Sequence, residues 1–310
     1  MLAIFIMDIV DDFLDNGSKY KFIKIEGDAS KKQFYEIADN NNLLLIKIIT
    51  EPNSFDEKFD QDFNSLSQYD YFKYSLQLLD KIQCVPNIIA YNDQNGIIIV
   101  KKVGNLRLKE YLEKNRNRTE YIYQSLDWLI KLHKLECIPD VIGQRSYGTF
   151  AMMKEINIFT EWILKYANNY DIFLFTNEIN NIFTQLEPTD TSLNHRDYQL
   201  RNIMVYNEQI YVIDTQDLCI GPNYCDIATF LFNPNIIFSM EERFKYAKYF
   251  YQNSKIKIPF LAFYKKCLLY GLIRVFKSYG THTRYFIRNN RLLSLDMVHN
   301  NRIILEQLSG

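Results

Sequence analysis

Residues 194–226 read NHRDYQLRNIMVYNEQIYVIDTQDLCIGPNYCD, and the placing of apolar runs among polar residues here decides the fold. Ile203–Val205 and Ile210–Ile213 are short apolar runs around Tyr206–Gln209, the pattern of a buried hairpin. A hairpin closes its ends together. Asn202 precedes the first strand and Asp214 follows the second, so the two are expected side by side. Asp197 lies close by, in the turn that His195 and Arg196 open. Two oxygen donors beside a free carboxylate suit a hard cation such as Mg²⁺ with phosphate, and not a transition metal.

The 310 residues are 47% apolar, enough for a sizeable core. Net charge is −1 with both signs interspersed, so there is no basic stripe for nucleic acid. The five cysteines are odd in number and form no CxxC, which indicates neither a disulfide framework nor a zinc site. At the start, Leu2, Phe5, Ile6, Ile9, Val10 and Phe13 recur at helical spacing. Asp8, Asp11 and Asp12 come too early for a signal peptide or a membrane span. A cytoplasmic monomer without a membrane partner is expected.

Three strands are expected at Lys21–Glu26, Gln33–Ala38 and Leu43–Ile49. The first turn, Gly27-Asp28-Ala29-Ser30, is small and polar, so its N–H groups suit phosphate, although an ordinary hairpin turn has the same look. Lys47 stands in the run LLLIKII, where a lysine costs stability unless it pairs or reaches water. Residues 57–81 read as a helix. Asn95-Gly96 is a hairpin turn ahead of the buried strand Ile97–Val100. Helices are expected over 118–136, 152–169, 171–187, 241–253, 259–279 and 292–308. His133 reads as a packed or capping residue, Gly221-Pro222 as a turn, and Asp226 as a helix N-cap.

His195-Arg196-Asp197 with Asn202 and Asp214 resembles the H-R-D-x-x-x-x-N catalytic loop of kinases followed by their metal-binding aspartate. More widely, the chain resembles the aminoglycoside phosphotransferase and choline kinase-like superfamily. Within it, the chain is most similar to bacterial N-acetylmuramate/N-acetylglucosamine anomeric sugar kinases. GDASKKQFY (Gly27–Tyr35) is like their DAS-x-R-x-Y-Y/F, and Val100–Gly104 with Leu108 is like their hinge. Asn194–Met204 is like HRDY-xx-xNLM, and Ile213–Leu231 like LDFQDA-xx-GP-xx-YDL-x-SL. Lys31, Gln33, Thr215 and Cys225 depart from those patterns.

The resemblance implies an α+β, two-lobed protein kinase-like fold. Residues 1–103 would form a nucleotide-binding lobe with an antiparallel sheet and a helix. Residues 104–310 would form a mainly helical catalytic lobe around the hairpin. The implied cofactors are ATP and Mg²⁺, with Asn202 and Asp214 holding the metal and Asp197 orienting or deprotonating the acceptor hydroxyl. Ala29 and Ser30 would face phosphate, as would Lys47, paired with a helix acid for which Asp70, Asp62 and Glu57 compete. Backbone groups of Lys102 and Val103 would meet adenine, and Gly104 would let the chain turn into the second lobe. His195 and Asp226 would support the catalytic loop.

Only eleven residues separate Asp214 from Asp226 and no A-P-E follows, so no peptide platform exists and the acceptor is a small molecule. The resemblance implies the anomeric hydroxyl of an N-acetyl amino sugar, whose acidity suits a carboxylate base. A lactyl carboxylate would call for an arginine, with Arg145, Arg201 and Arg274 as candidates. Tyr198, Gln216, Glu161 and Trp162 are candidate sugar contacts; the last two fit a helix surface and a core aromatic better. The alternatives are a choline, ethanolamine or aminoglycoside kinase, whose acceptors are cationic, and a catalytically silent nucleotide-binding module.

Overall fold

The apolar runs in the first hundred residues pair into a single antiparallel sheet. The computed structural model describes residues 2–15, 19–25, 32–37, 43–48, 66–115, 119–164, 172–187, 190–289 and 293–309. Helix α1 (Leu2–Leu14) precedes strands β1 (Phe22–Ile25), β2 (Lys32–Ile37) and β3 (Leu43–Ile48). Helix α2 (Gln68–Leu79) precedes β4 (Ile88–Asn92) and β5 (Ile97–Lys101). The strand order is β1-β2-β3-β5-β4.

Strand side chains alternate between faces with period two. Leu43 and Leu45 of β3 therefore pack with Ile97, Ile99 and the α1 residues Ile9 and Val10. Ile46 and Ile48 face the other way, into a cluster with Ile98, Val100 and the α2 residues Phe72 and Leu76. This alternation corrects the reading of Lys47. It shares the α1 face, is exposed, and holds its ammonium 5.8 Å from the Phe13 ring centroid. Lys32 has the opposite fate. It pairs across the sheet with Ile48, so it shares the α2 face, where it is buried with its ammonium 5.3 Å from the Phe72 ring.

The acid nominated for Lys47 is also spent elsewhere. Asp70 completes a capping box with Ser67 at the start of α2. Its rivals Asp62 and Glu57, and the turn residues Ala29 and Ser30, lie outside the described residues.

After residues 102–105 come β6 (Leu106–Arg107) and helices α3 (Leu108–Lys114), α4 (Glu120–His133), α5 (Asp140–Gly143), α6 (Thr149–Trp162) and α7 (Ile172–Leu186). Strand β7 (Thr191–Asn194) leads into the His195 turn, and β8 (Ile203–Tyr206) with β9 (Gln209–Val212) form the hairpin. Then come β10 (Cys219–Pro222), α8 (Cys225–Leu231), α9 (Met240–Asn253), α10 (Phe260–Asn289) and α11 (Leu293–Ser309). The hairpin loop, Asn207-Glu208, has both φ values positive, as a two-residue type I′ turn requires. Gly104 has φ +78°, and a Cβ there would lie 2.8 Å from the Tyr206 ring.

Two elements depart from the sequence pattern. Gly221-Pro222 is strand, paired with Ser192 and Thr191. Helix α10 continues through Gly280 to Asn289, where the pattern stopped it at Tyr279. Gly280 serves close packing and not termination. A Cβ there would meet the Ile158 backbone of α6 at 2.8 Å, and backbone cannot give way as a side chain can.

Gly280→Ala is therefore expected to destabilise the fold by about 1–3 kcal/mol, the usual cost of overpacking. Thermal denaturation reads this as a clear fall in Tm; an unchanged Tm would show that α10 can retreat from α6 freely.

Candidate active site

The turn that carries Asp197 hangs from one carboxylate. Asp226, fully buried in the first turn of α8, accepts the backbone N–H of His195 at 2.5 Å and of Arg196 at 2.9 Å. The N-cap of α8 is Tyr224, so the expected capping role of Asp226 gives way to this one. Arg196 has φ +74°, a left-handed conformation costing roughly 1–2 kcal/mol in a non-glycine residue. The two N–H bonds hold the turn in that shape. His195 Nε2 donates to the Ile213 carbonyl at 3.1 Å, and Ile213 N–H donates to the Asn202 carbonyl at 2.9 Å. Turn and hairpin end are thus tied together.

Asn202 Nδ2 donates to both the carbonyl and Oδ2 of Asp197, each at 2.9 Å. Asp214 follows Ile213 directly, with φ +66°. Its carboxylate pairs with Lys32, whose ammonium also donates to Gln216 Oε1 at 2.8 Å. A cleft-facing lysine on β2 therefore reaches across to the end of the hairpin. Its signal in the sequence was its place two residues before Phe34, on the inward phase of the strand.

Cations surround Asp197. Arg274 approaches Oδ1 and Arg201 approaches Oδ2, each at 3.3 Å, and Gln199 donates to Oδ1. Burial pushes this carboxyl up, but Arg201, Arg274 and Lys277 more than reverse that and hold it well below the usual range. Behind it lies Glu155 of α6, in ion pairs with Arg196 at 3.1 Å, Arg274 at 3.7 Å and Lys277 at 2.5 Å, and accepting from the Tyr147 hydroxyl at 3.0 Å. Burial raises the Glu155 carboxyl as well; Lys277, Arg196 and Arg274 outweigh it and leave it at about 2. Burial lowers the Lys277 ammonium to about 8, opposed by Glu155 and aided by Arg274 and Arg196. Glu155 was legible in FAMMKEINIFTEW as a carboxylate on the inward face between Met152 and Phe159. Lys277 carried no such mark.

Several nominated residues stand elsewhere. Arg145 is buried, with its guanidinium 3.0 Å from the Tyr71 ring centroid and Nη1 on the Gln216 carbonyl, so a sugar cannot reach it. Tyr198 is core: its ring stacks on Trp128 and its hydroxyl donates to the Ser125 carbonyl. Glu161 is exposed, and Trp162 sits under the Arg288 guanidinium, two helical turns beyond Glu155. The adenine role expected of Lys102 and Val103 is one for their backbone groups; of their side chains, Lys102 pairs with Glu36 at 2.7 Å and Val103 is buried. His133, read as a packed or capping residue, is packed against Phe250, and burial lowers its imidazole to about 3. Among the described residues, no three His, Cys, Asp or Glu gather closely enough to hold a metal unaided.

A model of the phosphotransferase enzyme family matches residues 61–263, more than half of the chain. An N-acetylmuramate/N-acetylglucosamine kinase of Neisseria meningitidis serogroup B is 21% identical over 231 residues, covering 69% of this chain and 67% of that one. Among solved structures, a choline/ethanolamine kinase family protein from Mesorhizobium loti superposes with a TM-score of 0.64 at 10% identity, over 100% of this chain and 98% of its own. A choline kinase from Streptococcus pneumoniae does so with a TM-score of 0.58 at 13% identity, over 98% and 99%. Those two likenesses establish the mixed α+β fold, with its antiparallel sheet ahead of a larger helical part. The family match adds chemistry to the fold: the chain belongs to the phosphotransferase enzyme family and is a small-molecule kinase.

Proposed function

We propose that the chain is an ATP- and Mg²⁺-dependent kinase acting on the anomeric hydroxyl of N-acetylmuramate or N-acetylglucosamine. The observation that carries this reading is the Asp197 carboxylate, bonded by Asn202, flanked by Arg201 and Arg274, and still a quarter exposed. The choice of sugar draws support from the sequence motifs and from a relative named for those two substrates.

The residues fit the metal. Asp214 and Gln216 already hold an ammonium between two hard oxygens. Magnesium takes one or two carboxylates and completes its shell with phosphate oxygens and water. On this assignment Asn202 and Asp214 would hold the cation, which would partly neutralise the charge of the phosphoryl group being transferred. Asp197 accepts a hydrogen bond from the acceptor hydroxyl, aims its oxygen, and takes its proton as the bond to phosphorus forms. A carboxylate held below its usual range is a weak base, so aiming is the larger part of its work. An anomeric hydroxyl, more acidic than an ordinary alcohol, matches such a base.

Lys32 takes the part first given to Lys47: its ammonium, beside Asp214 and Gln216, would serve the nucleotide phosphates. Ala29 and Ser30 would offer backbone N–H groups to those phosphates, and Lys102 and Val103 theirs to adenine. The lobe boundary then falls between Val103 and Gly104. The enzyme is proposed to work as a cytoplasmic monomer.

Asp197→Asn is expected to lower kcat at least ~100-fold, the lower end for a proton-transfer residue, with KM for ATP little changed. Turnover equal to the wild type in an ADP-release assay would remove Asp197 from the mechanism. Lys32→Met should raise KM for ATP about tenfold or more, the worth of a charge-assisted hydrogen bond. Lys47→Met should leave it within about twofold, as for other exposed charges. The reverse ranking would return the phosphate role to Lys47.

A further inference from the structure

The Asp197 carboxylate is already saturated with donors. Oδ1 accepts from Gln199 Nε2 and Arg274 Nη2, and Oδ2 accepts from Asn202 Nδ2 and Arg201 Nη2. An ionised carboxyl group offers about four acceptor positions, and these four donors take them. A hydroxyl that is to be aimed by Asp197 must therefore displace one of the four.

The donors are not equally replaceable. Arg201 and Arg274 make charge-assisted bonds, roughly twice as strong as neutral ones, and Arg274 is also paired with Glu155. Asn202 donates to the Asp197 carbonyl as well, and its own carbonyl accepts the Ile213 N–H. Gln199 brings a neutral amide on a half-buried side chain. Trading it for a hydroxyl exchanges one neutral hydrogen bond for another. Its backbone is pinned meanwhile: the Gln199 N–H donates to the Asp197 carbonyl, and the Gln199 carbonyl accepts from the Asn202 N–H, each at 2.8 Å. The side chain can turn aside without moving the catalytic turn.

The direction of the Gln199 amide is set from beyond the end of α8. The backbone N–H of Asn235 can only donate, and it donates to Asn233 Oδ1 at 2.8 Å. That fixes which end of the Asn233 amide is oxygen. Asn233 Nδ2 then faces Gln199 Oε1 in a long bond of 3.5 Å, which turns Gln199 Nε2 toward Asp197. Asn233 is 1% exposed, and the neighbouring Pro234 carbonyl accepts from Asn300 of α11 at 2.8 Å. A buried relay of amides thus presents the donor end of Gln199 to the base.

We propose that Gln199 guards the base: its amide covers Asp197 Oδ1 in the free enzyme, gives way to the acceptor hydroxyl, and keeps water from being activated before the acceptor arrives. This rests on the phosphotransferase reading and adds a positioning residue to it. The Asp197 side chain is still a quarter exposed, so solvent reaches it. A water that displaces the amide gains one neutral bond for the one it breaks. An acceptor brings its remaining contacts too, and so wins the exchange. In either case the incoming oxygen bonds to the γ-phosphorus as that phosphorus parts from the ADP oxygen, and the proton passes to Asp197. With water the products are ADP and phosphate.

The test uses the full chain with Mg²⁺-ATP at pH 8, and its first arm needs no acceptor. Phosphate release is expected to rise about fivefold or more in Gln199→Ala, the weight of one neutral hydrogen bond. Gln199→Glu, which keeps the volume and loses the donor, should raise it too. The rise should vanish when Asp197→Asn is added to Gln199→Ala. A folding defect lowers hydrolysis, so an increase is a signature that a merely structural role cannot produce. The second arm adds N-acetylmuramate, N-acetylglucosamine or choline, and phosphate released per acceptor phosphorylated should rise in both Gln199 variants. The third arm reads no turnover. The side-chain amide resonance of Gln199, assigned by its loss in Gln199→Ala, should shift when an acceptor that the enzyme phosphorylates is added without ATP. Normal transfer with unchanged or lower hydrolysis in both Gln199 variants overturns the guard alone, as does a rise that survives the loss of Asp197 or a resonance that the acceptor leaves unmoved. Wild type and variants that neither hydrolyse ATP nor phosphorylate any of the three acceptors overturn the phosphotransferase reading, and the guard falls with it.

Discussion

A single buried carboxylate sets the geometry of the cleft. Asp226 has no solvent exposure, yet it receives two backbone N–H groups from a turn held by a left-handed arginine. Burial alone would push that carboxyl up, and the field of His195 and Arg196 with the two N–H bonds works against the rise. Without the carboxylate, two buried donors would be orphaned, each at about 1–3 kcal/mol, and the turn could relax from its strained shape. Asp197 comes next after Arg196 and inherits its direction from that restraint. From there the order passes through Asn202 to the Asp197 side chain, and through Ile213 to Asp214. Asp226 is thus a positioning group for three residues that it does not touch.

The hairpin and the residues at its two ends were legible because the information is local. Two apolar runs, a four-residue gap and the residues at either end specify a closed ribbon, and the pairing of Ile203 with Val212 follows. The sheet was legible for the same reason, since strand runs announce themselves. Which face a residue takes is another matter. Lys47 and Lys32 both stand in apolar strands, and one residue of phase decides which reaches the cleft. That phase depends on whether α1 or α2 covers a given face, which no local window contains. Tyr198 and Arg145 failed for a related reason: a polar tip on a long side chain reads as a ligand contact until Trp128 or Tyr71 is found stacked upon it.

Contacts between α6 and α10 were the least visible. Glu155 and Lys277 are 122 residues apart, and their meeting depends on Gly280 letting two helix backbones touch. In sequence, Gly280 looks like a stop signal, because glycine weakens an isolated helix by about 1 kcal/mol. In the fold, the same missing Cβ lets α10 run on past Ile158 and carry Arg274 and Lys277 against Glu155. One glycine therefore misled the helix boundary and concealed the charge network at once. Propensity describes a helix in water, whereas α10 is held by what it packs against.

The electrostatics around Asp197 bear on how such a site can work. Arg201, Arg274 and Lys277 stabilise its carboxylate, so it stays ionised across the whole physiological range. That favours charge and direction over proton affinity. Phosphoryl transfer through a loose transition state tolerates this trade, because the proton need not leave before the bond to phosphorus is well advanced. The same network that weakens Asp197 as a free base thus fixes its charge and its direction.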